Sequence, residues 1–167
     1  MNKIQPWKLR SLFRGALGAV VAVAGLAQGQ AATNIANAAS AREKLIGAWH
    51  LVRIDLGGPN GALTISALPK GMLIYTRDGH LSVQLMYPQS AHAQSNEYVH
   101  DGYEASFGSY DVDETTHTLT HHVQGSNTGD LLVGKDLPRL YQFDRDGRLI
   151  IRPARPEEHW SVTWEHY

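Results

Sequence analysis

The stretch KGMLIYTRDGHLSVQLMY, residues 70–87, contains the clearest fold signal in the chain. Two runs rich in β-branched and aromatic residues flank Asp78-Gly79, and a two-residue Asp-Gly loop between such runs is typical of a β-hairpin. This loop predicts that Tyr75 pairs with Ser82. Alternation then puts Leu73, Tyr75, Arg77, His80, Ser82 and Gln84 on one face, and Met72, Ile74, Thr76, Leu81, Val83 and Leu85 on the other.

A second hairpin is predicted from SFGSYDV, residues 106–112, and TLTHHVQG, residues 118–125. A four-residue loop at 114–117 would pair Tyr110 with His121. The two adjacent histidines, His121 and His122, would then point to opposite sides of the sheet. The inward set is Gly108, Tyr110, Val112, Leu119, His121 and Val123.

The remaining strand signals extend this pattern to both ends of the domain. GAWHLVRIDL (47–56), a third hairpin over 138–153 and the closing HWSVTWEHY (159–167) bring the total to seven or eight strands. In the last two segments Arg139 falls on an inward row and Trp160, Val162 and Trp164 alternate with polar residues. Weak helical signals occur only at AREKL before Gly47 and around 96–105. Antiparallel strands in this number close as a barrel or a sandwich, and an eight-stranded barrel can hold one small ligand.

Four ordered stretches, GAWHLVRID, KGMLIYTRDGHLSVQLMYP, ASFGSYDVDETTHTLTHHVQGS and LPRLYQFDRDGRLIIRP, resemble the bacterial and fungal lipocalin-like domain family. The resemblance runs from about Leu45 to Trp164. It implies an all-β fold, a single antiparallel up-and-down β-barrel of about eight strands, that binds a small apolar or amphipathic molecule. It leaves activity open, because barrels of this shape serve carriers as well as isomerases and cyclases. One departure is that NTGDLLVGKDLPR, residues 127–139, lacks the aromatic residues expected there.

Composition limits the remaining function classes. The chain has 167 residues, a formal net charge of −1 and no cysteine, which allows one main domain and excludes thiol catalysis, disulfides and Fe-S clusters. Such a charge argues against nucleic acid as a partner. The nine histidines show no metal-ligand spacing, so we expect no metal and no cofactor.

Candidate site residues come from the inward faces, and each has two interpretations. Tyr110 and His121 either satisfy each other in the core or orient a ligand; as a proton-exchanging pair they would serve a cofactor-free isomerase, cyclase or hydratase. Arg139 requires a partner, which is either a ligand carboxylate or phosphate, an internal Asp, or a stacking tryptophan. The resemblance favours Arg139 or Arg53 stacking on Trp49.

The first hairpin contributes Tyr75, Ser82 and Gln84, which form either the polar outer face of the sheet or a wall of the lumen. The resemblance favours the lumen. Trp49, Trp160 and Trp164 are predicted as apolar walls of the same cavity. A third possibility for the whole domain is a structural or partner-binding role, which would require a filled barrel and an exposed apolar patch.

The N-terminus has the pattern of a signal peptide. Four cationic residues precede GALGAVVAVAGLA, residues 15–27, which is too short for a membrane span. We predict a signal peptide at 1–31, a flexible leader at 32–44 and the barrel domain at 45–167. The mature protein would be periplasmic or secreted, without a stable membrane anchor, and either a monomer or a dimer.

Expression of the full chain in a bacterium with an intact export pathway should yield a mature protein that begins at Ala32, because Ala31 ends a run of small residues at the cleavage spacing. Intact-mass spectrometry of the periplasmic fraction measures this directly. Cleavage after Ala38 or Ala41 would move the boundary, whereas an exported chain that retains Met1 would contradict the signal-peptide assignment.

Overall fold

A computed structural model describes residues 39–58, 61–64, 69–88 and 94–167 of the chain. The predicted signal peptide and most of the leader lie outside the described residues. The description begins at a short helix, α1 (Ala41–Leu45), whose first turn is capped by the Ser40 hydroxyl, which accepts a hydrogen bond from the Glu43 amide at 3.1 Å. The weak helical signal at AREKL is therefore confirmed.

Within the described residues, nine β-strands follow the helix. Their bounds are β1 (Gly47–Gly58), β2 (Gly61–Thr64), β3 (Lys70–Tyr75), β4 (His80–Met86), β5 (Tyr103–Asp113), β6 (Thr118–Ser126), β7 (Asp136–Phe143), β8 (Leu149–Pro153) and β9 (Trp160–His166). A single 3-10 turn, Gly129–Leu131, separates β6 from β7. The helical signal around 96–105 is wrong: the segment 94–102 is irregular and β5 already begins at Tyr103.

The sheet closes on itself through β1. The start of β1 pairs with β3, and residues from Trp49 to Leu56 pair with β9. Strands β3 to β9 each pair with their sequence neighbours, and every pairing is antiparallel. The result is a closed eight-stranded barrel, with β2 as a short hairpin partner of the end of β1. This confirms the predicted fold class, and closure removes the exposed edges that an open sheet would present.

The register of the first hairpin differs from the prediction by one residue. Tyr75 pairs with Leu81, and four residues, 76–79, form the turn. Thr76 stabilises this wider turn, because its amide and hydroxyl both donate to the His80 carbonyl, at 2.9 and 3.1 Å, and the hydroxyl also contacts Asp78. A shift of one residue exchanges the two faces of a strand. Ser82 and Gln84 therefore lie on the outer face, and their predicted place in the lumen is wrong.

The second hairpin has the predicted register. Tyr110 pairs with His121 and Asp113 with Thr118 across a four-residue turn. His121 is 9% exposed and faces inward, while His122 faces outward between Asp111 and Asp136, at 3.0 and 2.6 Å. A β-bulge between Phe107 and Gly108 shifts the register nearer the start of β5.

The main core fills the end of the barrel next to α1. Trp49 is fully buried there, donates its indole N–H to the Leu45 carbonyl at 2.8 Å and stacks on the His166 ring at a centroid distance of 3.5 Å. Leu45, Tyr75 and Tyr110 are buried in the same cluster. This end is closed by packed side chains, so any internal space must lie toward the other end.

A substitution at Gly108 tests how closely β5 and β6 approach each other at the bulge. A Cβ at this position would lie 1.9 Å from the His122 carbonyl oxygen, so Gly108→Ala forces a backbone shift and should lower the free energy of unfolding by about 1 to 3 kcal/mol. Urea denaturation measures the change, with Ser109→Ala as the neighbouring control that adds no atom. Equal stability of the two variants would show that β5 and β6 do not approach this closely.

Candidate ligand-binding site

A cavity of about 180 Å³ lies inside the barrel, away from the end that α1 covers. Its walls are mainly aliphatic and indole side chains, contributed by six of the eight barrel strands: Ile54, Leu73, Val83, Leu85, Leu137, Ile151, Trp160, Val162 and Trp164. An engineered cavity of about 150 Å³ admits benzene, so this space suits a ligand with one ring or a short branched chain. A few polar groups interrupt the apolar wall.

His121 is the first of these polar groups and is held by Tyr75. The Tyr75 hydroxyl lies 2.7 Å from His121 Nε2, and Tyr75 is fully buried behind the histidine. Burial raises the pKa of Tyr75 well above its ordinary value. Burial also lowers the pKa of His121 to about 3, with smaller contributions from Arg139 and His122. Both groups are therefore neutral at pH 7.

The hydrogen bond assigns the tautomer of His121. If Tyr75 donates to Nε2, the hydroxyl proton has an acceptor; in the opposite arrangement that proton has none among the described residues. We infer from this difference that the proton of the neutral imidazole is on Nδ1. This nitrogen has no hydrogen bond within the described part of the chain, and His121 lines the cavity, so we infer that its Nδ1–H is a donor available to a ligand.

Tyr110 does not form the predicted hydrogen bond with His121. The two residues are opposite each other in the sheet, but the Tyr110 hydroxyl donates to the Thr76 carbonyl at 2.9 Å. The Tyr110 ring packs edge-on against Tyr75, at a centroid distance of 4.8 Å, and does not line the cavity. The long Tyr110 side chain reaches the β3–β4 turn instead. The hydrogen bond to His121 that was expected from Tyr110 is made by Tyr75 of β3.

Arg139 is the second polar group, and it faces inward as its strand parity predicted. It is 5% exposed, and its guanidinium carbon lies 5.0 Å from the centroid of Trp160 and 5.3 Å from that of Tyr98. The expected stacking on Trp49 is wrong, because His166 covers Trp49 and Arg53 pairs with Asp55 at 2.8 Å. Stacking on aromatic rings does hold Arg139, but with Trp160 and Tyr98 as the partners.

The nearest acid to Arg139 is Glu158, at 4.0 Å. Its carboxylate already accepts the Trp160 indole N–H at 2.8 Å and pairs with Arg155 at 3.2 Å, while the Tyr98 hydroxyl donates to it at 3.4 Å. Glu158 thus fixes both rings that flank Arg139. Its contact with the guanidinium itself is long.

Glu104, at the start of β5, is a cavity residue that the sequence analysis missed. Burial raises the pKa of its carboxyl group to about 7, and the charge of Arg139 and a hydrogen bond from Tyr87 oppose this rise only in part. The inward parity of Tyr110 and Gly108 leads back through Ser106 to Glu104 and could have identified it. The helical interpretation of 96–105 concealed that pattern.

The other candidate residues divide between the cavity and its surroundings. Trp160 and Trp164 line the cavity, Trp49 belongs to the closed end, and Tyr75 supports His121 from behind. The loop before β5 adds Asn96 and Tyr98, which the sequence pattern did not indicate. In the described part of the chain, no three His, Asp or Glu side chains are grouped so that they could bind a metal, and no helix is long and apolar enough to cross a membrane.

A closed antiparallel barrel of eight strands with an internal apolar cavity is the architecture of calycin-type proteins. The family model of the lipocalin-like domain matches residues 46–166, which confirms the resemblance seen in the sequence motifs. This chain belongs to the lipocalin-like domain family.

Comparison with curated proteins gives no match. Among solved structures, the chain is similar to a biogenic amine-binding protein, studied as its selenomethionine derivative, with 17% sequence identity and a TM-score of 0.39. The match covers 72% of this chain and spans 62% of the length of that one.

The pKa values of the two adjacent histidines should depart from the ordinary value of 6.5 in opposite directions. NMR of the imidazole signals should show His121 neutral at pH 5, because burial lowers its pKa to about 3, while the carboxylates of Asp136 and Asp111 raise the pKa of His122 above 6.5. The unfolded chain binds a proton at residue 121 near pH 6.5 and the folded chain does not, so His121 also destabilises the fold as pH falls below 6.5. Protonation of His121 near pH 6.5 would contradict its burial.

Proposed function

We propose that this protein is an exported binding protein that holds a small, mostly apolar molecule in the barrel cavity. The observation that supports this proposal best is the cavity itself, an internal space of about 180 Å³ with an apolar wall and few polar groups. Natural ligand sites combine these two features, because apolar walls supply affinity and a few polar groups fix orientation. A purely structural domain would fill this space with side chains.

The ionisable groups Glu104, His121 and Arg139 of the cavity come from three neighbouring strands. Glu104 is on β5, His121 on β6 and Arg139 on β7, whereas the facing strands β1, β3, β8 and β9 contribute apolar side chains. A ligand with a polar head and an apolar body fits this division. We therefore propose that its polar head lies toward β5–β7.

Two observations favour ligand binding over a proton-transfer reaction in which His121 and Tyr110 would be the catalytic pair. Tyr110 donates its hydroxyl proton to a backbone carbonyl and does not line the cavity, so it cannot reach a substrate there. The pKa of His121, lowered to about 3 by burial, makes the imidazole a weak base at neutral pH. The pair predicted for an isomerase, cyclase or hydratase is thus not assembled.

The export part of the proposal is supported by the N-terminal sequence alone. Cationic residues precede an uncharged run at 15–27, and small residues follow at the spacing of a cleavage site. A binding protein outside the cytoplasm would meet its ligand in the periplasm or the medium.

A substitution that fills the cavity should abolish binding. Ser106 lines the cavity, so Ser106→Phe places a ring in the ligand space; Ser82, on the outer face opposite Phe107, provides the matched control Ser82→Phe. Intrinsic fluorescence of Trp160 and Trp164, which line the cavity, should change saturably when toluene, para-cresol or phenylacetate is added to the parent and to Ser82→Phe. The same probes should leave the fluorescence of Ser106→Phe unchanged.

Two results would contradict the proposed function. Equal saturable responses from Ser106→Phe and Ser82→Phe would locate binding outside the cavity. The absence of a saturable response from every probe, in a protein whose thermal unfolding is cooperative, would show that the cavity does not bind molecules of this size.

A further inference from the structure

We propose that the cavity selects a small carboxylic acid, whose carboxylate binds the guanidinium of Arg139 while Glu104 is protonated. This inference rests on the proposed binding function and specifies its ligand. It assigns the ligand anchor to Arg139 and a proton-linked gating role to Glu104.

Arg139 has no carboxylate at hydrogen-bond distance among the described residues. Its side chain is 6% exposed, and Glu158 at 4.0 Å is the one carboxylate within ion-pair distance of it among the described residues. Its other polar contacts are a hydrogen bond of 3.5 Å to the Pro138 carbonyl and one with the Tyr98 hydroxyl, and both of these partners are neutral. A buried guanidinium is costly unless its charge and its five N–H donors are satisfied. Arg139 lines the cavity, so a ligand anion can supply the missing contacts.

Two aromatic rings lie against the guanidinium of Arg139. Trp160 and Tyr98 lie against the guanidinium at 5.0 and 5.3 Å, and Glu158 ties both rings in place. Rings that stack on a guanidinium occupy its faces and leave its N–H groups, which lie in the plane, free to bond. Carboxylates match this edge, because their two oxygens accept two parallel N–H donors.

Glu104 is an acid that shares the cavity with Arg139. The groups that act on its carboxyl are Arg139 from β7 and Tyr87, which directly follows β4, and Arg139 is the cation among them. His121 from β6 and Tyr98 from the segment before β5 line the same cavity. Ionised Glu104 would compete with a ligand carboxylate for Arg139. Protonated Glu104 removes that competition and offers an O–H donor to the ligand, and its pKa of about 7 makes the exchange possible at neutral pH.

The charges around the site favour an acid over an amine as the ligand. An ammonium group at Glu104 would lie beside the Arg139 guanidinium and be repelled by it. His121 adds an N–H donor rather than an acceptor, through the Nδ1 proton assigned above. The volume of about 180 Å³ limits the body of the acid to one ring or a short chain.

The test compares three probes with nearly the same shape: phenylacetate, phenylacetamide and 2-phenylethylamine. Isothermal titration of the parent at about pH 6 should give a dissociation constant for phenylacetate that is at least about tenfold lower than for the other two, since a bidentate charged contact is lost in both. Between about pH 6 and pH 8 the affinity for phenylacetate should fall by up to about tenfold, as Glu104 ionises and the ligand does not change its charge.

Two variants test separately the role of Arg139 as the ligand anchor and the proton-linked role of Glu104. Glu104→Gln keeps the shape of the side chain but cannot ionise, so it should bind phenylacetate at pH 8 as well as the parent does at pH 6, with a change of less than about twofold across that range. This gain of affinity cannot arise from misfolding. Arg139→Met keeps apolar bulk and should bind phenylacetate and phenylacetamide equally.

The outcomes distinguish this inference from the proposed function. Equal affinity of the parent for phenylacetate and phenylacetamide would overturn the carboxylate assignment and leave cavity binding intact. Tighter binding of 2-phenylethylamine would make Glu104 the anchor and also overturn it. Failure of all three probes to bind, while toluene still gives its saturable fluorescence change, would overturn this inference alone. Failure of toluene as well would overturn both proposals.

Discussion

The buried positive charge of Arg139 is the constraint on which the ligand-binding half of this barrel depends. Removing a guanidinium from water costs several kcal/mol unless partners replace the lost hydration. The protein provides two aromatic rings, from Trp160 and Tyr98, and a distant carboxylate, Glu158. Glu158 in turn contacts Arg155, which also pairs with Glu97 at 3.4 Å. Arg139 therefore organises the segment before β5 and the segment before β9 around one end of the barrel.

The two ends of the barrel differ in how closely they are packed and in how fully their polar groups are hydrogen-bonded. At the end next to α1, Trp49, Tyr75 and Tyr110 pack closely, and each polar atom of these three side chains has a hydrogen-bond partner. At the other end, apolar walls enclose space, and Glu104, His121 and Arg139 present groups whose hydrogen-bonding capacity the described residues leave partly unused. Rigid packing at one end thus fixes the strands that hold the polar groups at the other. The Tyr75–His121 hydrogen bond links the two regions.

Most of the fold follows from local patterns, and the errors have local causes. The hairpin from β5 to β6 was predicted residue by residue, because alternation on both strands and the loop length agree on one register. For the hairpin from β3 to β4, the predicted register differs from the observed one by one residue. Asp78-Gly79 is a strong signal for a two-residue turn, but hydrogen bonds from the Thr76 hydroxyl and amide to the His80 carbonyl stabilise a four-residue turn instead. This shift of one residue in the register decides which side chains of β4 face the interior. Leu81 and Val83 do so, and Ser82 and Gln84 do not.

The candidate site was predictable only in part. Strand parity placed His121, Arg139, Trp160 and Trp164 inward, since parity depends on neighbours in sequence. The partners of these residues come from distant elements: Tyr75 is 46 residues from His121, and Tyr98 reaches Arg139 from an irregular segment. No periodic pattern encodes such contacts. Glu104 differs from these partners, because a periodic pattern does indicate it: the inward positions of β5, continued from Gly108 through Ser106, lead to Glu104.

The central claim is that the cavity holds a carboxylate against Arg139, and a crystal structure of the protein grown with phenylacetate at about pH 6 tests it most directly. We expect the phenyl ring to lie among the apolar side chains of Leu85, Ile151 and Trp164. We expect both carboxylate oxygens to lie about 3 Å from the guanidinium, the distance of a charge-assisted hydrogen bond. An empty cavity in which Glu104 or Glu158 has closed to hydrogen-bond distance from Arg139 would contradict the account, because the charge would then be satisfied by the protein alone.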